Sequence, residues 1–143
     1  MKTTPLLVAL SALFPAVALA ANPVHNVWAT QPGLISEPGA SYVATSASCS
    51  FSWTEVSGYA FINARAKAPT GDLYEFQLVS VTGSPTAYEV DGLWNVSKNG
   101  VPLCTGCSGL AYGLTAPIGS MFKIYVGNYS YHLSGSVTNR YDF

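Results

Sequence analysis

The sequence predicts an all-β domain, an antiparallel β-sandwich of about seven to nine strands with immunoglobulin-like or jelly-roll topology. Three observations predict it. No long segment places apolar residues at helical spacing. Turn signals recur instead: Gln31-Pro32-Gly33, Glu37-Pro38-Gly39, Pro69-Thr70-Gly71-Asp72, Gly83-Ser84-Pro85, Lys98-Asn99-Gly100 and Ala116-Pro117-Ile118-Gly119. Between them lie short runs rich in β-branched and aromatic residues.

Taken in order, the first element is not a strand. A lysine at position 2 precedes an apolar run from Pro5 to Val17, which ends at Ala18-Leu19-Ala20. A positive start, a short apolar core and an A-x-A site describe a secretory signal peptide. The run is shorter than the ~20 residues a spanning helix needs. Cleavage is expected after Ala20, leaving residues 21–143 as a single secreted domain. That places the protein outside the cell, or in the periplasm of a bacterium.

The strands expected next are His25 to Thr30, Ser41 to Ala47, Cys49 to Glu55, Tyr59 to Lys67 and Leu73 to Thr82. Tyr88 to Ser97 follows, then a short piece from Val101 to Cys104 across the Asn99-Gly100 turn. Leu110 to Leu114 is weak. Met121 to Gly127 and Tyr129 to Tyr141 complete the set. Two of these runs alternate cleanly. Ala60, Ile62, Ala64 and Ala66 share one face, opposite Tyr59, Phe61, Asn63, Arg65 and Lys67. Tyr88, Val90, Gly92, Trp94 and Val96 share another, opposite Glu89, Asp91, Asn95 and Ser97. One buried and one solvated face is the signature of antiparallel sheets. Phe76, Leu78, Val79 and Val81 put apolar groups on both sides, as do Met121 to Val126 apart from Lys123. These read as central strands covered on each face.

The last strand, YSYHLSGSVTNRYDF, alternates over fifteen residues and ends in Phe143. In this it resembles the C-terminal signal of bacterial outer-membrane barrels. The resemblance covers one strand and implies an outer-membrane barrel as an alternative fold. Asn139 departs from it, standing where an apolar residue is expected. The runs that are apolar on both faces also oppose it, because a spanning strand alternates between lipid and lumen. The sandwich is therefore preferred and a membrane location disfavoured.

Composition narrows the partners. Charged residues are 9% of the chain, and Lys2 would leave with the leader, so six basic residues fall by one against seven acidic. No basic patch is available for phosphates, which excludes nucleic acid as an expected partner. Aromatic residues reach 13%, with three Trp and nine Tyr. Sugar rings present apolar C–H faces to flat aromatics, and protein interfaces favour Tyr and Trp for similar reasons. Trp53 and Trp94 are expected to fill the core. Trp28, Tyr112 in its glycine-rich loop, and Tyr125, Tyr129 and Tyr131 near the Gly127-Asn128 turn are the candidate ligand contacts.

Three cysteines suit one disulfide in an oxidising compartment. Either Cys49 bridges to Cys104 or Cys107, or Cys104 and Cys107 clamp the Thr105-Gly106 turn. The odd thiol then allows a disulfide-linked dimer. Cys104-Thr-Gly-Cys107 lacks the following helix that a thioredoxin-like motif requires. His25 and His132 stand in no metal or triad pattern, so neither metal, cofactor nor catalytic set is expected. Glu89 and Asp91 share one face of a strand and would sit ~7 Å apart, the spacing of an inverting glycosidase pair. Asn95-Val-Ser97 and Asn128-Tyr-Ser130 match the N-glycosylation pattern. The sequence thus reads as a secreted, non-catalytic binding module for glycans or an extracellular protein. A small secreted hydrolase is the alternative from another class.

Overall fold

A computed structural model of the chain describes residues 25–54, 57–86, 88–113 and 117–142. The side chains of residues 25 and 140–142 are not described. The leader reading falls on residues 1–20, outside the described residues.

Among the described residues the strands are β1 (His25–Glu37), β2 (Ala40–Val43), β3 (Ser46–Thr54), β4 (Tyr59–Lys67), β5 (Leu73–Val81), β6 (Glu89–Lys98), β7 (Val101–Tyr112), β8 (Met121–Val126) and β9 (Tyr131–Asp142). Every pairing is antiparallel, in the order β2-β1-β3-β4-β5-β6-β7-β8-β9. The two ends then meet: β1 also pairs with β9, from His25↔Asp142 to Ser36↔His132.

This closure corrects the sandwich. The molecule is a closed barrel of eight strands, because β2 and β3 lie end to end along one edge of β1. The alternation along β4 and β6 does not distinguish one face of a sandwich sheet from the wall of a barrel. Closure joins the two ends of the sheet through β1 and β9, which removes the open end strands that would otherwise template edge-to-edge aggregation.

Eight strands enclose an interior just wide enough for side chains to fill. Trp53, Trp94, Tyr74, Phe51, Phe76 and Phe122 fill it, with Ala29, Ala64, Ala66 and Ala111 as the small partners. Phe51 and Phe122 meet edge to face with ring centroids 5.1 Å apart. Outward positions are mostly polar: Ser48, Ser50 and Ser52 on β3, Asn63, Arg65 and Lys67 on β4, and Ser136 and Thr138 on β9. A spanning barrel has the reverse arrangement, with an apolar outer band.

The two runs with apolar residues on both sides are not covered on both faces. Leu78 pairs with Trp94 and Ser80 with Leu93, so Val79 is the extra residue of a β-bulge. Phe76 and Leu78 point inward, Val79 is exposed, and Val81 turns inward again after the bulge. Met121 is likewise outward and exposed. Opposite the bulge, a Cβ on Gly92 would lie 2.3 Å from the Ser80 carbonyl oxygen, so only glycine fits.

Two turn readings also give way. Gln31-Pro32-Gly33 lies inside β1, where register shifts absorb it. Proline is tolerated at such an irregularity because it owes no ladder hydrogen bond there. Ser134, buried at β9, accepts the Leu34 N–H at 2.9 Å beside it. Val101 to Tyr112 is one strand rather than two. Cys104 and Cys107 form a disulfide across a bulge in it. Gly106, at φ 63°, donates its N–H to Asn95 Oδ1 at 2.9 Å. The Thr-Gly clamp is therefore the pairing found. Cys49 is a free thiol inside the barrel, and burial pushes its pKa far up. A bridge from Cys49 to another chain would require the barrel to open.

One end of the barrel is tied by charge. The Tyr74 hydroxyl donates to the Glu37 carboxylate, and Lys98 donates to the same group at 3.1 Å. The Tyr74 bond and then Lys98 hold Glu37 below the usual carboxylate range, against the effect of burial.

Candidate functional site

The register places four aromatic side chains and two carboxylates on one outer patch. Odd-numbered residues of β6 and even-numbered residues of β7 face outward there. Glu89 pairs with Tyr112 and Asp91 with Leu110. Leu110 pairs with Tyr125, and Tyr125 with His132. One row therefore runs Asp91, Leu110, Tyr125, His132 across four strands. A parallel row begins Glu89, Tyr112, Lys123.

Tyr125 is the centre. Its ring stacks on His132 at 4.4 Å with an 18° interplanar angle. Tyr129 lies tilted against it at 5.0 Å, and Tyr112 meets it edge to face at 6.1 Å. These distances are those of favourable aromatic pairs. The His132 Nδ1–H donates to the Ile124 carbonyl at 3.1 Å. Burial lowers the His132 pKa, with that hydrogen bond opposing, so the ring is neutral at neutral pH. The Tyr112 phenol is hydrogen-bonded to Tyr129, and this bond first, then burial, raises its pKa.

Tyr129 is held at a backbone cost. Gly127, Asn128 and Tyr129 have φ of 67°, 55° and 66°. A left-handed conformation costs an L-residue roughly 1–2 kcal/mol, and a bulky residue adopts it only where the surroundings impose it. Such outliers concentrate at ligand sites. Here the turn delivers an exposed phenol onto Tyr125.

Beside the tyrosines lies a depression of about 320 Å³, lined by Asp91, Leu110, Tyr125, Asn128 and Tyr129 among others. A second, of about 330 Å³, shares Thr82 and Asp91 with it and is flanked by Tyr88 and Glu89. Each matches the lower end of small-molecule sites, roughly 300–1,000 Å³.

The Glu89 and Asp91 carboxyls are hydrogen-bonded to each other, which pushes the Glu89 pKa up to about 6, with burial adding to it. Glycosidase carboxyls stand roughly 5–5.5 Å apart in retaining and roughly 6.5–9.5 Å apart in inverting enzymes, a separation that a hydrogen-bonded pair does not offer. Folding shifts this acid upward, so the folded state holds a proton that the unfolded chain releases between the ordinary carboxylate value and about 6. The pair therefore stabilises the fold below that window, and this contribution is lost as pH rises through it. Asp91→Asn, which keeps a hydrogen-bonding group beside Glu89, is expected to raise stability at neutral pH by about 1 kcal/mol at most given solvent screening, seen as a higher thermal midpoint, and to leave it nearly unchanged well below that window. Melting curves against pH check both.

The sequence candidates divide. Tyr112, Tyr125 and Tyr129 come together. Tyr131 does not join them: it packs partly buried against the core, and its hydroxyl reaches the Leu103 carbonyl at 3.4 Å. Trp28 is exposed on the outside of β1, level with Ser50 and Asn139. The tyrosine row reaches β1 at Ser36, roughly 25 Å further along the strand. His132, Glu89 and Asp91 were not joined to the tyrosines from sequence; shared outward parity was the available signal. Among the described residues no three His, Cys, Asp or Glu side chains converge as metal ligands.

No family model, curated protein or solved structure matches this chain. The site's chemistry therefore carries the functional reading.

Proposed function

We propose that the protein is an extracellular, non-catalytic glycan-binding module, whose site is the outer cleft between β6, β7, β8 and the Gly127–Ser130 turn. The observation that carries this reading is Tyr125, braced by His132, Tyr112 and Tyr129 beside a cleft walled by Asp91. Braced phenol rings offer flat faces to sugar C–H groups at little entropic cost. Carboxylates accept hydrogen bonds from paired hydroxyls. The leader read in residues 1–20 supports an extracellular setting. The contact between Glu89 and Asp91 disfavours the hydrolase.

The test is calorimetric titration with soluble tetrasaccharides from chitin, chitosan, cellulose, β-1,3-glucan and mannan. Saturable binding to at least one is expected. A folded protein that binds none contradicts the reading.

Tyr129→Gly separates site from scaffold. Glycine relieves the left-handed strain while removing the phenol. Stability is expected to hold or rise, by up to about 1 kcal/mol, with the thermal midpoint following it, while glycan affinity falls.

A further inference from the structure

Charge matching on the barrel surface bears on which glycan the cleft takes. Among the described side chains, the other acidic groups each have a basic partner. Glu75 pairs with Arg65 at 3.0 Å, and Glu37 and Asp72 share Lys98 at 3.1 and 4.0 Å. Glu89 and Asp91 have no ion pair among the described side chains, and they share a face of β6. They stand at the junction of the two depressions, both of which Asp91 lines.

The groups around the pair do not neutralise it. Tyr112, across the β6–β7 ladder, is a phenol raised in part by the negative charge of Glu89 and Asp91. Tyr125 and Tyr129 present rings from β8 and the turn after it. Thr86 closes the side toward β5 through Glu89 backbone bonds. Lys123 follows Tyr112 in the Glu89 row, two strands from the pair, and forms no ion pair with it among the described side chains. A negatively charged corner is therefore walled by aromatic faces. Aromatic rings attract cations, and a carboxylate attracts an ammonium group more strongly than a hydroxyl. A divalent cation is the poorer match, since calcium takes six to eight oxygens and, among the described residues, no third metal-ligating side chain converges here.

We propose that the glycan is a cationic amino sugar polymer, its ammonium group at the Glu89–Asp91 corner and its ring faces on Tyr125 and Tyr129. This rests on the glycan reading of the same cleft.

The experiment titrates the protein in mildly acid solution, just above the Glu89 pKa of about 6, where glucosamine amines carry charge, with four probes of similar length. They are the β-1,4-linked glucosamine tetramer, its N-acetylated counterpart, cellotetraose and tetralysine. The glucosamine tetramer is expected to bind about tenfold or more tightly than the two neutral saccharides, the difference between a charged and a neutral hydrogen-bond partner. Added salt is expected to shrink that preference. The double variant Glu89→Gln, Asp91→Asn is expected to lose it, and Glu75→Gln to retain it. Equal or tighter binding of a neutral saccharide overturns the amino-sugar assignment and leaves the glycan reading standing. Binding of no saccharide overturns both. Tetralysine binding as tightly as the glucosamine tetramer overturns the assignment in favour of a basic peptide. A preference that survives the double variant, with its melting curve intact, also overturns it.

Discussion

Replacing Trp94 by alanine is expected to destabilise the barrel by about 3–5 kcal/mol, the usual cost of emptying a large aromatic site. Trp94 is fully buried on β6. Its neighbours leave no room to collapse by small shifts. It lies beneath Gly109 of β7, where even a methyl group would come within 2.7 Å of its Cδ1. Across the ladder it faces Leu78 on β5 and Cys107 on β7. It therefore ties three adjacent strands to the interior. Its Nε1–H finds no acceptor among the described residues. Trp94→Phe removes that buried unpaired donor along with part of the ring. Its cost is expected to be markedly smaller than that of alanine. Urea unfolding of the two variants checks the ordering; a phenylalanine variant as unstable as the alanine one contradicts this packing.

Tyr125→Ala is expected to remove glycan binding by about tenfold to a hundredfold, the cost of losing a central aromatic contact. It should do so with little loss of fold. Tyr125 faces outward on β8, while the inward residues Phe122, Ile124 and Val126 are fully buried and untouched. The loss exceeds one contact. Tyr112, Tyr129 and His132 each pack on this ring, so its removal also releases the side chains that frame the cleft. Trp28→Ala, on the far part of β1, is the control. Calorimetry of both variants with the same tetrasaccharide distinguishes them. Equal losses would move the site away from the tyrosine cleft.

The strands were legible where local pattern decides them. β4 lies where the alternation from Tyr59 to Lys67 puts it, and Trp53 and Trp94 fill the core as their settings imply. Closure was not legible. It depends on Val27 and Ile35 of β1 meeting Arg140 and Leu133 of β9, from opposite ends of the described chain. A two-layer sandwich has the same inward and outward periodicity. Val79 misled because a bulge shifts the phase by one residue, and nothing local marks it except Gly92 on the facing strand. Pro32 and Gly33 misled because turn residues also serve bulges within a bent strand. The site was half legible. Tyr112, Tyr125 and Tyr129 stood out by type, but the carboxylates join them only through the β6–β7–β8 register. Tyr131, two residues from Tyr129, points the other way because the turn ends between them.

On this reading ligand is held on the outer face of the wall and not inside the barrel or at Trp28. The most direct measurement is an NMR titration of the ring-labelled tyrosines and tryptophans with the glucosamine tetramer and cellotetraose. Shifts are expected at Tyr112, Tyr125 and Tyr129 for the saccharide that binds, with Trp28, Trp53, Tyr74 and Trp94 unmoved. Shifts centred on Trp28, or on the interior residues Trp53, Tyr74 and Trp94, would contradict it.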